Sequence, residues 1–190
     1  MQSARTRGSW QTCGTGCDNQ VRSPLPDDNV RSMLLDTHHV KIVTPFAVLG
    51  IRTVGELLTD IEYLPRGVAT LAPLNKLAER VCRQIERYLD DPHYRFSLPF
   101  EYRGSDFQCR VWREISEISA GKTNTYKDIA LRIHNAPRAV GGACGKNRLP
   151  LLIPCHRVLA SNGIGGFMHA RGGEPIAIKK WLLAHEGVRV

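Results

Sequence analysis

The sequence lacks any run of about 18 apolar residues, so it offers no segment long enough to cross a membrane as a helix. Its first 20 residues, MQSARTRGSWQTCGTGCDNQ, contain no apolar stretch like the core of a secretory signal. It also lacks internal repeats, which excludes solenoid and propeller architectures. We therefore expect no membrane partner and a cytoplasmic location, or a nuclear one if the source is eukaryotic.

Cysteine is present but not dense, with six residues in 190. In the expected reducing compartment these are thiols rather than disulfides. Cys13 and Cys17, followed by His38 and His39, raise the possibility of zinc, but their spacing matches no common zinc signature. We predict no metal and no cofactor.

The positive charge is concentrated in one half of the chain. Residues 101–190 hold 14 of the 26 Lys and Arg but only 7 of the 18 Asp and Glu, which accounts for +7 of the net charge of +8. A basic half beside a near-neutral half favours a polyanionic partner, with nucleic acid first. A generally basic surface is the alternative at this point.

Composition and periodicity divide the chain into three parts. Residues 1–34 are polar and aperiodic and are predicted to form a flexible tail. Residues 35–102 combine β-branched runs such as Val40–Thr44 with one amphipathic helix, which indicates a small α/β domain. The apolar face of that helix would comprise Leu74, Leu77, Ala78, Val81, Cys82, Ile85 and Leu89.

Residues 103–190 have the pattern of a mostly helical domain. Ser105 with Gln108 has the form of a capping box, and Thr125 offers a second cap for a short helix ending near Ile133. A turn then leads to Pro137, which suits the first turn of a third helix. Two short helices joined in this way resemble a helix-turn-helix.

The third helix, from Pro137 to about residue 146, carries an unusual face. Arg138, Gly141, Gly142 and Gly145 share one side of it. Because each interior glycine costs about 1 kcal/mol relative to alanine, the set requires an explanation. A face without side chains allows another backbone to approach closely, which fits either a nucleic-acid groove with Arg138 inserted or tight helix packing.

The stretch Ile153-Pro154-Cys155-His156-Arg157-Val158 places a thiol directly before two basic side chains. The thiolate is the reactive form of cysteine, and a base or nearby cation can promote its formation. Neighbouring side chains usually diverge, so direct proton transfer between Cys155 and His156 would need a water or a special turn. Glu186 is a candidate to orient the imidazole. A buried structural cysteine is the alternative.

Four motifs in this order, FQCRVW, RAVGGACGKN, PCHRV and WLLAHEG, closely resemble the O6-alkylguanine-DNA alkyltransferases, the methylated-DNA–protein-cysteine methyltransferases. The resemblance is strong over residues 103–187, thin over 38–100, and does not reach the tail. It implies a ribonuclease-H-like α/β N-terminal domain, with a small sheet plus a helix. A mostly α C-terminal domain with a winged-helix-like helix-turn-helix would follow.

The resemblance implies irreversible, single-turnover transfer of an alkyl group from O6-alkylguanine, or O4-alkylthymine, to Cys155 after minor-groove binding and base flipping. The expected partner is double-stranded DNA, bound by a monomer, with cooperative binding left open. The implied catalytic residues are Cys155, His156, Glu186, Asn147 and Tyr126. The implied DNA-binding residues are Tyr126, Lys127, Arg138, Ala139, Gly141, Gly142 and Arg157, and the implied substrate-binding residues are Val158, Phe167 and Met168.

One segment departs from the family pattern. A Tyr-Ser pair followed by glycines is usual where this chain has Phe167 and Met168, and about four extra residues follow before Trp181. The backbone of Met168 becomes the candidate donor to the guanine oxygen, and the range of accepted alkyl groups is expected to differ.

Two other functions compete with alkyl transfer. A non-catalytic sensor of alkylated DNA would lack the acceptor cysteine, whereas Cys155 is present. A Cys–His hydrolase would need an oxyanion site and would leave the glycine face unexplained.

Overall fold

The computed structural model describes residues 38–189, and these begin with a three-stranded antiparallel sheet. The strands are β1 (Val40–Val43), β2 (Val48–Val54) and β3 (Leu57–Leu64). Alternating and β-branched apolar residues give the sheet one face that packs in the core. The register of β2 with β3 shifts between Arg52 and Thr53. The predicted strand at Val40–Thr44 is thus observed, shorter by one residue.

Helix α1 (Lys76–Asp90) packs in the same core as this sheet. Asn75 caps it by accepting a hydrogen bond from the Ala78 backbone N–H at 2.8 Å. Leu77, Ala78, Val81, Cys82 and Ile85 are buried as predicted, and Leu89 is half-buried. The prediction is wrong for Leu74, which precedes the cap and is exposed.

Three short helices follow: α2 (Asp106–Ser116), α3 (Tyr126–Arg132) and α4 (Pro137–Gly145). Both predicted caps are present, because Ser105 and Thr125 each form a reciprocal capping box with the residue three positions later. Helices α3 and α4 are consecutive and pack against each other, and α4 starts at Pro137 as predicted; the helix-turn-helix assignment stays a prediction.

A single 3₁₀ turn, Cys155–Arg157, carries the thiol and leads into β5 (Val158–Leu159). β5 pairs in parallel with β4 (Asn124–Thr125), so the segment before α3 is tied directly to the thiol segment. Helix α5 (Gly173–His185) closes the chain, with Glu186 as its C-cap. Part of the unusual segment before Trp181 is therefore helical, since Glu174 and Pro175 form the first turn of α5.

The structure thus contains a small antiparallel sheet with helices, a mixed α/β architecture. The ribonuclease-H-like and winged-helix-like assignments stay predictions, as does a domain boundary near residue 103. The described residues fall within one compact unit, and none of their helices is both long and apolar enough to span a membrane. Cys13 and Cys17, considered for zinc, lie outside the described residues.

Candidate active site

Cys155 lies in the wall between two cavities. Its side chain is 7% exposed, and its sulfur accepts a hydrogen bond from Asn147 Nδ2 at 3.2 Å. The helix-side cavity, about 750 Å³, runs between α4 and the segment after Gly165 and is lined by Tyr126, Arg138, Gly141, Gly142, Cys155 and Met168. The sheet-side cavity, about 450 Å³, is lined by Arg52, Asp60, Tyr63, Asn147, Cys155 and Phe167.

The Asn147 side chain spans the turn that precedes the thiol. Its Nδ2 also donates to the Ile153 carbonyl at 2.8 Å, and its Oδ1 accepts from the Leu149 N–H at 2.9 Å. Within this turn Leu151 has a positive φ of 75°, an unfavourable backbone conformation for a leucine. The amide of Asn147 therefore holds together a strained segment and contacts the sulfur directly.

His156 is buried and is oriented by Glu186, whose Oε1 lies 2.9 Å from the imidazole Nε2. Burial would raise the pKa of the Glu186 carboxyl, but hydrogen bonds from His156 and Arg157 outweigh it and lower that pKa to about 2. An ionised carboxylate only accepts hydrogen bonds, so the imidazole proton belongs on Nε2. The other nitrogen, Nδ1, is then a lone-pair acceptor, and it is buried without a protein partner among the described residues.

Burial also sets the protonation of the thiol and the imidazole. Burial lowers the pKa of His156 below its usual 6.5, so the ring is neutral at pH 7. Burial raises the pKa of the Cys155 thiol, against smaller opposing effects from the Asn147 hydrogen bond and from Lys179. The resting site thus pairs a protonated thiol with an unprotonated base rather than a preformed ion pair.

Arg157, whose contact with DNA stays a prediction, makes its hydrogen bonds within the protein. Its side chain is mostly buried and faces inward, donating to both oxygens of Glu186 at 2.8 and 2.9 Å and to the Ile118 carbonyl. These contacts use the guanidinium to hold the buried Glu186 carboxylate in place.

The glycines of α4 separate into two kinds. A Cβ on Gly145 would lie 2.2 Å from the His169 ring, so this glycine makes room for that ring. A Cβ on Gly142 would meet nothing within 4 Å, and one on Gly141 would only just reach Tyr126. Contact with the exposed His169 side chain therefore accounts for Gly145, whereas Gly141 and Gly142 present an open backbone surface beside the exposed Arg138.

The other predicted DNA-binding residues lie on α3 and α4. Lys127 is exposed on the first turn of α3, and Ala139 is half-buried on α4. Tyr126 lines the helix-side cavity and donates its hydroxyl to the Gly166 carbonyl at 3.0 Å. Burial raises the pKa of Tyr126, so its hydroxyl is a donor and not a base.

The predicted substrate-binding residues differ in position. Phe167 is buried and Met168 is 40% exposed, and both line the two cavities. Met168 and His169 both have positive φ, forming a two-residue turn closed by reciprocal Phe167–Ala170 backbone hydrogen bonds. Val158 lines neither cavity, and its carbonyl accepts from Lys179 Nζ at 2.7 Å.

Two residues that the sequence analysis did not select complete the site. Lys179 is fully buried and donates to the carbonyls of Val158, Ile164 and Gly166 at 2.7, 2.7 and 3.0 Å. Burial lowers its pKa to about 8. Tyr88 on α1 donates to Glu186 Oε1 at 2.9 Å. The apolar pattern around Lys179 was a signal that could have found it, whereas nothing local marks Tyr88.

Comparison with known proteins agrees with this arrangement. Residues 106–188 match the family described as 6-O-methylguanine DNA methyltransferase, DNA binding domain. The methylated-DNA–protein-cysteine methyltransferase of Metallosphaera sedula is 33% identical over 146 residues, which are 76% of this chain and 90% of the relative. The chain belongs to the methylated-DNA–protein-cysteine methyltransferase family.

Further members of the family resemble it to a similar degree. The Archaeoglobus fulgidus methyltransferase is 40% identical over 107 residues, covering 56% of this chain and 73% of the relative. The crystal structure of Mycobacterium tuberculosis OGT in complex with DNA superposes with a TM-score of 0.66 at 32% identity, covering 77% of this chain and 90% of that one. The family resemblance of the four sequence motifs is thereby confirmed.

Proposed function

We propose that this protein repairs double-stranded DNA by transferring an alkyl group from the O6 atom of guanine to the Cys155 sulfur. The observation that carries the proposal is His156, which directly follows Cys155 in the sequence: its Nε2 is held by Glu186, and its Nδ1 is buried without a protein partner among the described residues. Family membership supplies the substrate, and this geometry supplies an acceptor with a base beside it.

The thiol proton would pass to His156 Nδ1 through one water molecule. The resulting imidazolium would be stabilised by the Glu186 carboxylate on Nε2, which Arg157 and Tyr88 hold in place. The thiolate lone pair forms the S–C bond while the C–O6 bond breaks, leaving its electron pair on guanine, which takes up one proton. The sum is a thioether and unmodified guanine.

Tyr126 is proposed to act on the leaving base. The residue lines the helix-side cavity and its hydroxyl keeps its proton, so on substrate binding the hydroxyl would exchange its hydrogen bond to the Gly166 carbonyl for one to guanine as negative charge develops there. The backbone of Met168, the ring of Phe167 and the second lone pair of the Val158 carbonyl are the proposed contacts that orient the base.

DNA is proposed to lie against the open part of α4. Gly141 and Gly142 permit close approach of a minor groove, with Ala139 beside them. Arg138 would fill the space left by the extruded nucleotide, and Lys127 would contact phosphate. Flipping the base costs a few kcal/mol, which these contacts would offset.

Cys144 lines both cavities together with Cys155, but burial raises the pKa of its thiol, and a thioether is a poor alkyl donor to a protonated thiol, so each molecule is proposed to react once. The test is the intact mass of the protein after incubation with a duplex carrying one O6-methylguanine. We expect a gain of one methyl group per chain, mapped to Cys155, and no gain for Cys155→Ala. Cys82→Ala is the matched control, because Cys82 lies on α1 and lines neither cavity. Repeated turnover, or a methyl group on another residue, would contradict the proposal.

A further inference from the structure

The outer strand of the sheet is hydrogen-bonded to the turn that precedes the acceptor thiol. In the sheet order β1-β2-β3, β3 lies at an edge, where some backbone groups face away from β2. At this edge the Ile61 N–H donates to the Arg148 carbonyl at 2.9 Å. Arg148 directly follows Asn147, whose amide donates to the Cys155 sulfur. Two adjacent residues therefore connect the sheet with the thiol.

The side chain of Arg148 is attached to the same strand. Its Nε and Nη2 atoms both lie 2.6 Å from Asp60 Oδ1. The Asp60 side chain is 8% exposed and that of Arg148 is 48% exposed, so the pair combines a buried acid with a half-exposed base. Because one partner is buried, solvent screens this pair less than it screens a fully exposed one. Arg148 is thus held at two points by consecutive residues of β3, Asp60 and Ile61.

The turn from Asn147 to Cys155 needs such an anchor. Leu151 within it has a positive φ of 75°, and a conformation of this kind persists only where the surrounding structure holds it. A single side chain, that of Asn147, bonds Leu149, Ile153 and the sulfur. A displacement of the chain at the next position, 148, would therefore move the amide away from the sulfur.

We propose that Asp60 is a positioning residue for the acceptor thiol, because by fixing Arg148 it keeps the Asn147 amide on the Cys155 sulfur. This inference rests on the proposed alkyl transfer. An amide N–H directed at the sulfur stabilises the thiolate that forms as the proton leaves. The N-terminal sheet thereby contributes to the reactivity of the thiol through two intermediate side chains.

The test measures the rate at which iodoacetamide alkylates Cys155 as a function of pH, with the modified residue mapped by peptide mass. The thiolate is the nucleophile, so the midpoint of the profile reports the protonation of the thiol. Asp60→Leu is similar in size and removes the acceptor for Arg148. We expect its midpoint to move to higher pH and its rate at pH 7 to fall about threefold or more, as weakening of a hydrogen bond to an ionised group would give.

The direction of this shift distinguishes positioning from a direct effect of charge. Asp60→Leu removes a negative charge, which by itself would favour the thiolate and move the midpoint to lower pH. A midpoint that is unchanged or lower would therefore overturn the inference. Should Asp60→Leu fail to fold in urea denaturation, Asp60→Asn takes its place, because it weakens the ion pair at almost constant shape and should shift the midpoint in the same direction.

A double variant tests the assigned route through the amide. Asn147→Ala removes the hydrogen bond to the sulfur and should move the midpoint to higher pH at least as far as Asp60→Leu does. Combining the two changes should shift it no further than Asn147→Ala alone, because both act on the same contact. Additive shifts would overturn the assignment of Asp60 to this route.

Glu62→Gln is the matched control. Glu62 lies on the same strand, and its ion-pair partners are Arg52 and His38, at 3.1 and 3.0 Å. Its midpoint should equal that of the wild type or lie slightly lower. A shift to higher pH as large as that of Asp60→Leu would overturn the inference, since it would show that any carboxylate on β3 has this effect.

The transfer reaction provides the second readout. On a duplex carrying O6-methylguanine, Asp60→Leu should transfer the methyl group about threefold or more slowly at saturating DNA. Its Kd for the duplex should be unchanged, because Asp60 belongs to β3 and not to α3 or α4. An unchanged transfer rate would overturn the role of Asp60 in the reaction. If the wild type transfers no methyl group, the proposed function fails, whereas the iodoacetamide profile still decides whether Asp60 positions the thiol.

Discussion

Two buried carboxylates in this protein, Glu186 and Asp60, show how similar groups serve different purposes. Glu186 accepts hydrogen bonds from His156, Arg157 and Tyr88, and both of its oxygens are engaged. Asp60 is paired with Arg148 through one oxygen only. A fully bonded carboxylate fixes the orientation of its neighbours, whereas Asp60 keeps one buried oxygen without a partner among the described residues.

The largest expected effect comes from Glu186→Gln, which alters the carboxylate that has both oxygens hydrogen-bonded. The variant leaves the Arg157 charge buried without a counter-charge, and breaking a buried pair in this way costs about 3–5 kcal/mol. We expect this loss in the free energy of unfolding from urea denaturation, together with loss of alkyl transfer.

The exposed pair Glu114–Arg132 provides the control for that variant. Glu114→Gln should change the free energy of unfolding by less than about 1 kcal/mol. A similar loss in both variants would show that the buried network contributes no more than a surface ion pair.

Lowering the pH should remove the stabilisation that ionised Glu186 provides, without any mutation. The Glu186 pKa is about 2 in the folded protein against an ordinary 4.5, so its stabilisation is present above pH 4.5 and is lost as pH falls towards 2. His156, whose pKa is lowered by burial, adds a loss in the same direction as pH falls below 6.5. We expect the stability difference between wild type and Glu186→Gln, about 3 kcal/mol from this pKa shift, to shrink between pH 5 and pH 3. A difference that stays constant over this range would contradict the assignment of charge to Glu186.

The smallest expected effects come from removing a single tyrosine hydroxyl, either that of Tyr88, which donates to Glu186, or that of Tyr63, which has no partner among the described residues. Tyr88→Phe deletes a hydrogen bond to an ionised carboxylate and should destabilise the protein by about 1.5–3 kcal/mol. Tyr63→Phe deletes a hydroxyl that has no partner, so its free energy of unfolding should be unchanged to within about 0.5 kcal/mol or slightly increased. Thermal and urea unfolding of the two variants test this, and equal losses would mean that the Tyr63 hydroxyl is paired in solution.

Local patterns predicted most of the secondary structure. Caps at Ser105 and Thr125, the proline at position 137 and the apolar face of α1 depend on residues within a few positions of each other, and all are observed. The error at Leu74 arose because the apolar period continues one residue beyond the Asn75 cap, where the chain is no longer helical.

The site was less predictable because its contacts join distant parts of the chain. Arg157 follows His156 in a basic cluster, and only the fold shows that both turn toward Glu186, which lies 29 residues away from Arg157. Lys179 looks like a surface residue in the sequence Lys179-Lys180, yet it is buried on carbonyls contributed by three separate residues. The sheet-side cavity could not be predicted either, since it depends on the register of β2 with β3.

The hydrogen bond from Tyr88 to Glu186 joins positions 98 residues apart and crosses out of the segment, 106–188, that defines the family. The part of the chain before residue 106 and the part after it are therefore not freely interchangeable with those of other proteins. Consider a chimera that combines this C-terminal part with the N-terminal part of another protein. Without a hydroxyl donor at the position of Tyr88, the Glu186 carboxylate that orients His156 would lose one hydrogen bond. Such a chimera would also have to keep the other contacts between these parts, among them the Arg148–Asp60 ion pair and the hydrogen bond from the Ile61 N–H to the Arg148 carbonyl.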